Sequence, residues 1–111
     1  MNIIDFGHFN LVELRVGTVL SVEPFPEARK AAYKITVDFG SEIGTKRTSA
    51  QVTDLYSMDE LVGKQVIGVV NFPPKQIGPF VSEFLLTGLM GRGGIVLAIP
   101  ERQVPNGEKL L

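Results

Sequence analysis

Asn71-Phe72-Pro73-Pro74-Lys75-Gln76-Ile77-Gly78, followed by Ser82-Glu83, places two amides, an ammonium, a hydroxyl and a carboxylate on one short stretch stiffened by two prolines. Such groups bind and orient a ligand, and a segment that is stiff beforehand loses less entropy on binding. A plain connection between strands would account for the same residues. A second set of recognition groups lies upstream. Lys34 and Thr36 share one face of an alternating segment, and Lys46, Arg47, Ser49 and Gln51 crowd the next one. Lysine and arginine neutralise phosphates while hydroxyls and amides reach base edges, the combination used on shallow β surfaces that bind looped or single-stranded RNA. Tyr33 and Phe39 carry the period of a core, so no base-stacking aromatic stands out on this face. That pattern favours a reader of RNA shape over a generic single-strand binder.

Bond-making chemistry has little to work with. There is one histidine, His8, and no cysteine. Thiolate metal sites, CxxC redox chemistry and a cysteine nucleophile are excluded, and a lone histidine is more often a surface or packing residue than a base. No carboxylate cluster has the spacing of a calcium loop. Gly91-Arg92-Gly93-Gly94 lacks the Gly-Lys-Ser/Thr of a phosphate loop and reads as a turn, and Gly63-Lys64 fails the same test. The reading is of a protein that is not an enzyme and needs no metal or cofactor.

The elements that must position these groups are mostly strands. Asp5 can cap a short helix carrying Phe6, Phe9 and Leu14. Val16, Thr18, Leu20 and Val22 alternate with Gly17, Val19, Ser21 and Glu23, which predicts a half-buried strand over 16–23 that Pro24 and Pro26 stop. Tyr33, Ile35, Val37 and Phe39 then point one way, with Lys34, Thr36 and Asp38 the other. Gly40 to Thr45 reads as a hairpin turn returning the chain as a small, polar strand over 46–52, whose Thr48, Ser49, Ala50 and Gln51 would form a shallow hydrogen-bonding surface. Ser57 and Glu60 form a capping box for a short helix ended by Gly63. Strands over 65–72, 81–88 and 95–99 follow, the last two joined by the glycine-rich turn. Six strands with only short helices predict an all-β domain. A five-stranded OB-fold Greek-key barrel with a helical turn between its third and fourth strands fits best, with a sandwich or another small barrel as alternatives.

At 111 residues the chain is one domain, 1–111, long enough to bury a core unaided. Net charge is −1, so nucleic-acid binding does not follow from overall basicity. The distribution says more: residues 28–52 and 61–82 together carry +5, while acids gather near the start and at Asp54, Asp59 and Glu60. If the two basic segments meet in space they offer a positive face to a polyanion; a mixed, solvated surface is the alternative. Nothing resembles a secretory signal or a membrane span, so a soluble, cytoplasmic protein is expected.

Leu14-Arg15-Val16-Gly17-Thr18-Val19, Asn71-Phe72-Pro73-Pro74-Lys75, Ser82-Glu83 and Pro105-Asn106-Gly107 occur in an order that resembles the tRNA-binding OB-fold domain appended to some aminoacyl-tRNA synthetases. Phe25-Pro26-Glu27-Ala28-Arg29-Lys30, Tyr33-Lys34, Ser49-Ala50-Gln51 and Gln76-Ile77 bring it nearest to the CsaA-type chaperones of that family. Ser82-Glu83 is followed by Phe84-Leu85 where the broader family has Gly-Met. The resemblance implies a homodimer joined through extensions at 1–14 and 100–111, tRNA binding, and a chaperone role that holds non-native polypeptides for the protein-export machinery. Carried over position by position, it implies RNA contacts at Lys30, Lys34, Ser49, Gln51, Asn71, Lys75, Ser82 and Glu83. Phe6, Phe9, Leu110 and Leu111 are expected in the dimer interface or a peptide groove. A tRNA-binding accessory protein without chaperone activity is the alternative.

Overall fold

A computed structural model describes residues 1–111. Helix α1 (Phe6–Asn10) starts where expected: the Asp5 carboxylate accepts the His8 amide at 2.8 Å, and the His8 ring accepts the Asp5 amide in return. The single histidine is thereby part of a helix cap. Leu14 is not in the helix but opens β1 (Leu14–Pro24).

The remaining elements are β2 (Tyr33–Asp38), β3 (Thr45–Ala50), α2 (Met58–Leu61), β4 (Gln65–Val69), β5 (Lys75–Ile77), β6 (Phe80–Ser82), β7 (Leu85–Leu86), β8 (Gly88–Gly91) and β9 (Gly94–Leu97). One sheet has the order β3-β2-β1-β4-β7, all antiparallel, and β5-β6 and β8-β9 are separate hairpins. Strand β1 serves two neighbours: Leu14 to Thr18 pair with β4, and Thr18 to Pro24 with β2. The bend that this requires brings Gly17 against β2, where any Cβ would meet the Val37 side chain, Phe39 Cδ1 at 2.8 Å and the Asp38 carbonyl oxygen at 2.9 Å.

Strict alternation along β1 does not hold. The register slips between Val19 and Ser21, leaving Leu20 as an extra, unpaired residue that is 49% exposed. Burial along β1 falls on Val16, Gly17 and Val19 and not on the Val16, Thr18, Leu20 and Val22 set, and from the bulge onward the side chains are exposed or half-buried. In β2 the expectation holds, with Ile35, Val37 and Phe39 fully buried. They join Val19, Val52, Leu61, Val66, Phe84 and Leu97 in the main core, where Phe39 and Phe84 meet edge to face at 4.9 Å. Helix α2 supplies Leu61, and its Ser57–Glu60 capping box is formed.

The strands expected at 65–72 and 81–88 are shorter and broken. The first ends at Val69, and the second becomes β6, β7 and the start of β8. Those few residues do three jobs, since they pair with β5, close the barrel and enter the last hairpin. Its turn, at Arg92-Gly93, has Gly93 at φ 81°, a conformation that a residue with Cβ rarely adopts. At the seam between β3 and β7 the Glu83 amide donates to the Arg47 carbonyl at 2.7 Å, and the Arg47 amide donates to Glu83 Oε1 at 2.9 Å. Thr48 Oγ1 donates to the Phe84 carbonyl at 2.8 Å and shares a hydrogen with Ser82 Oγ at 2.7 Å. Thr48, expected on the surface, is only 2% exposed. The barrel closes over it, and the hydroxyl is tolerated there because it is fully bonded. Five strands closing in this order, with a helix between the third and fourth, form an OB-fold.

Both ends of the chain pack on the start of β1. The Gly107 amide donates to the Val16 carbonyl, Val16 to Glu108 and Leu110 to Leu14, at 2.7–3.0 Å. Gln65 pairs with Val104 through both side-chain atoms, as a strand backbone would. Glu13 ties the two ends together, accepting from Arg15 at 2.6 Å and from Lys109 at 3.0 Å, while Lys109 also donates to Asn10. Hydrogen bonds from Arg15 and then Lys109 hold the Glu13 carboxyl below the usual carboxylate range. A depressed carboxylate stabilises above its ordinary pKa, and the contribution is lost as pH falls through the lowered value. The expected outcome is that the protection of the Leu110 amide, its slowing relative to the intrinsic exchange rate at the same pH, drops in acid, and that Glu13→Gln abolishes this acid step.

Candidate nucleic-acid interface

A cleft of about 1150 Å³ opens between the loop 25–32, strand β3 and the segment running from Phe72 into β5. Its walls are set by a second, smaller core. Phe25 and Ala32 from the loop meet Phe80 from β6, with Ala28 and Ile77 packed against them, and the Phe25 and Phe80 rings lie 5.5 Å apart. Hairpin β5-β6 carries the lower wall, pairing Lys75 with Ser82, Gln76 with Val81 and Ile77 with Phe80. Gln76 Nε2 donates to the Gly78 carbonyl at 2.6 Å and fastens the turn. The stretch 71–78 is therefore only partly a loop: its second half is a strand of a hairpin clamped to a neighbouring loop by aromatic packing.

Five of the eight expected RNA contacts line this one cleft: Lys30, Ser49, Gln51, Lys75 and Ser82. Lys30, Gln51 and Lys75 are exposed, and Ser49 is half-buried. Ser82 is 8% exposed, and its hydroxyl is engaged with Thr48 and, at 3.4 Å, the Ser49 amide. It shapes the floor of the cleft by holding the barrel seam. Glu83 does similar work on the other side of that seam, through the Arg47 amide. Lys34 is outside the lining, its ammonium over the Phe25 ring at 5.0 Å and the Phe80 ring at 5.6 Å.

Asn71 is committed elsewhere. Its Oδ1 accepts the Glu13 amide at 3.1 Å and its Nδ2 donates to the Leu11 carbonyl at 2.8 Å, so it fixes the front extension at the foot of the 71–78 stretch. Phe6 and Phe9 form a tilted pair on α1, which buries no residue; Phe6 is 70% exposed. Leu110 and Leu111 are exposed on the tail, and none of these four lines the cleft.

Two lining residues were not singled out by the face-based reading. Phe72, 54% exposed, stands at the mouth of the cleft, and Arg29 lines it beside Lys30. The signal for Phe72 was available: an aromatic after the end of a buried strand and directly before two prolines is held extended and has no core to enter. Of the basic residues of 28–52, Arg29 and Lys30 meet Lys75 of 61–82 here, beside the acid Glu27, whereas Lys34, Lys46, Arg47 and Lys64 are not part of the lining. Chemically the cleft offers ammonium and guanidinium groups for anions, hydroxyl and amide groups for polar edges, and an exposed aromatic face for stacking.

The tRNA binding domain family profile matches residues 14–109. Methionine–tRNA ligase of Methanococcus maripaludis is 34% identical over 110 residues, which is 99% of this chain but 16% of that enzyme. The chain thus spans about one-sixth of the length of that curated relative. Among solved structures, a CsaA chaperone protein from Picrophilus torridus superposes with a TM-score of 0.93 at 43% identity, covering 98% of this chain and 100% of that one. A chaperone CsaA from Bacillus anthracis gives 0.91 at 42% identity, covering 99% and 100%.

Proposed function

The chain belongs to the tRNA-binding domain family, as a member of its CsaA type, and from that premise we propose that it binds tRNA at the cleft between the loop 25–32 and the β5-β6 hairpin. The observation that carries this reading is convergence: Lys30, Lys75, Ser49 and Gln51 come from three separated segments to one opening. Ser82 and Glu83 contribute by holding the seam, Asn71 by anchoring the 71–78 stretch, and Lys34 by adding charge beside the cleft. In this reading the domain works by binding, through the charged, hydrogen-bonding and aromatic groups that line the cleft. Titration of folded tRNA against a single-stranded RNA of equal length tests it. Tighter, salt-sensitive binding of the folded tRNA is expected, and equal binding of the two would contradict recognition of tRNA shape.

A second reading, as a chaperone, is favoured by the lining of the same cleft. Half of its residues are apolar, 11 of 22, with Phe72 and Leu85 exposed, a composition suited to extended non-native polypeptide. In this role the protein is cytoplasmic and holds clients for protein export. Aggregation of an unrelated denatured protein should be suppressed at modest molar excess, and absence of protection at several-fold excess would defeat the role. In either reading the active form is a homodimer. Residues 1–14 and 100–111 form its extensions, with exposed Phe6, Leu110 and Leu111 near the joined ends of the chain. Sedimentation should give twice the chain mass at micromolar concentration.

A further inference from the structure

Lys34 and Arg47 sit on adjacent strands, β2 and β3, and both lie over one buried ring. Phe80 has the Arg47 guanidinium 4.8 Å from its centroid and the Lys34 ammonium at 5.6 Å; Lys34 is also 5.0 Å from Phe25. Two like charges drawn to one ring repel. The negative faces of the rings offset that repulsion and restrict the two long side chains without consuming their hydrogen-bond donors. A carboxylate partner would neutralise them instead. The acids nearby do so only weakly: Glu23 approaches Arg47 at 3.8 Å with both side chains largely exposed, and the Glu83 carboxylate accepts the Arg47 backbone amide.

The rings are not incidental surface groups. Phe25 and Phe80 form the second core, which joins the loop 25–32 to the β5-β6 hairpin and sets the width of the cleft. The same two rings therefore determine where the cleft walls stand and where the two cations beside it stand.

We propose that the Phe25–Phe80 pair is a positioning element for anion recognition, seating Lys34 and Arg47 as a fixed, only weakly compensated cation pair that engages a phosphate at the edge of the cleft. The proposal rests on the tRNA reading and adds how its charges are ordered. A guanidinium stacked by one face keeps its edge donors for a phosphate, and a preset pair of cations loses less side-chain entropy on binding.

The test measures tRNA affinity for Phe80→Leu in the native background and in a Lys34→Ala/Arg47→Ala background, with Phe25→Leu as an independent second variant and thermal unfolding as the check on folding. The loss in the native background should exceed the loss in the cation-free background by about two- to fivefold, the worth of an exposed cation–π contact, any remainder being the rings' part in setting the cleft width. In the free protein, the Lys34 side-chain protons next to the ammonium should resonate upfield through the ring current, returning to ordinary positions in Phe80→Leu. Equal losses in both backgrounds, or unshifted Lys34 protons, would overturn the positioning role while leaving tRNA binding at the cleft intact. A native protein that does not bind tRNA would overturn that reading of the cleft, and this role with it.

Discussion

Replacing Lys34 and Lys75 together by alanine is expected to reduce the log–log salt slope of tRNA binding by about 1.4 to 1.8, because each phosphate left without its cation takes about 0.7 to 0.9 from the slope. The double variant's affinity should then fall about tenfold less than the native protein's between about 50 and about 200 mM salt, since two counterion-release terms are gone. The two residues probe different parts of the site. Lys75 opens β5 and lines the cleft directly, while Lys34 stands beside it on β2 over the aromatic pair. Lys64→Ala is the matched control: it removes the same charge, but Lys64 does not line the cleft, so the slope should stay at its native value. An unchanged slope in the double variant would remove both lysines from the interface.

The largest stability effect is expected at Gly17. Gly17→Ala should cost about 1–3 kcal/mol or more, lowering the melting temperature by roughly 4–8 °C per kcal/mol, because the added methyl is driven into three groups at once. The Val37 side chain and Phe39 Cδ1 can each shift by changing rotamer at some cost to the core. The Asp38 carbonyl, at 2.9 Å from the Cβ position, belongs to the β1–β2 ladder and cannot. Adding Val37→Ala should therefore recover only part of the stability. Full recovery would mean that side-chain crowding alone keeps glycine here. Thermal unfolding of the single and double variants decides it. The functional corollary is that Gly17 lets β1 pair with β4 and β2 in succession, and without that bend the barrel cannot present β2 and β3 to the cleft.

Much of the barrel could be read from local pattern. Tyr33, Ile35, Val37 and Phe39 alternate because one face of β2 is core, and the Ser57–Glu60 cap needs only residues three apart. Four departures share a cause, which is that they depend on what the chain meets far away. The bulge at Leu20 answers to the pairing of β1 with β2. Thr48 looks like a surface residue until β7 closes over it and Ser82 and Phe84 satisfy its hydroxyl. Asn71 looks like a ligand contact until its amide is found bonded to Leu11 and Glu13. Phe80 is buried in a second core that exists only when the loop 25–32 meets the β5-β6 hairpin.

The site was legible in the same uneven way. The convergence of Lys30, Ser49, Gln51 and Lys75 on one cleft follows the positions carried over from the family pattern, and the polar character of β3 pointed to the same face. Phe72 carries a local signal, its place between a buried strand and two prolines, whereas the lining role of Arg29 and the seat of Arg47 over Phe80 emerge only from geometry.

Amide hydrogen exchange of the protein, free and saturated with tRNA, bears most directly on the central claim that the cleft is the tRNA interface. Slowed exchange should concentrate in residues 28–34, 46–51 and 72–78, the three segments that converge there, with little change in helix α2, none of whose residues lines the cleft. Protection confined to surfaces away from the cleft, with those three segments unchanged in a saturated complex, would contradict it.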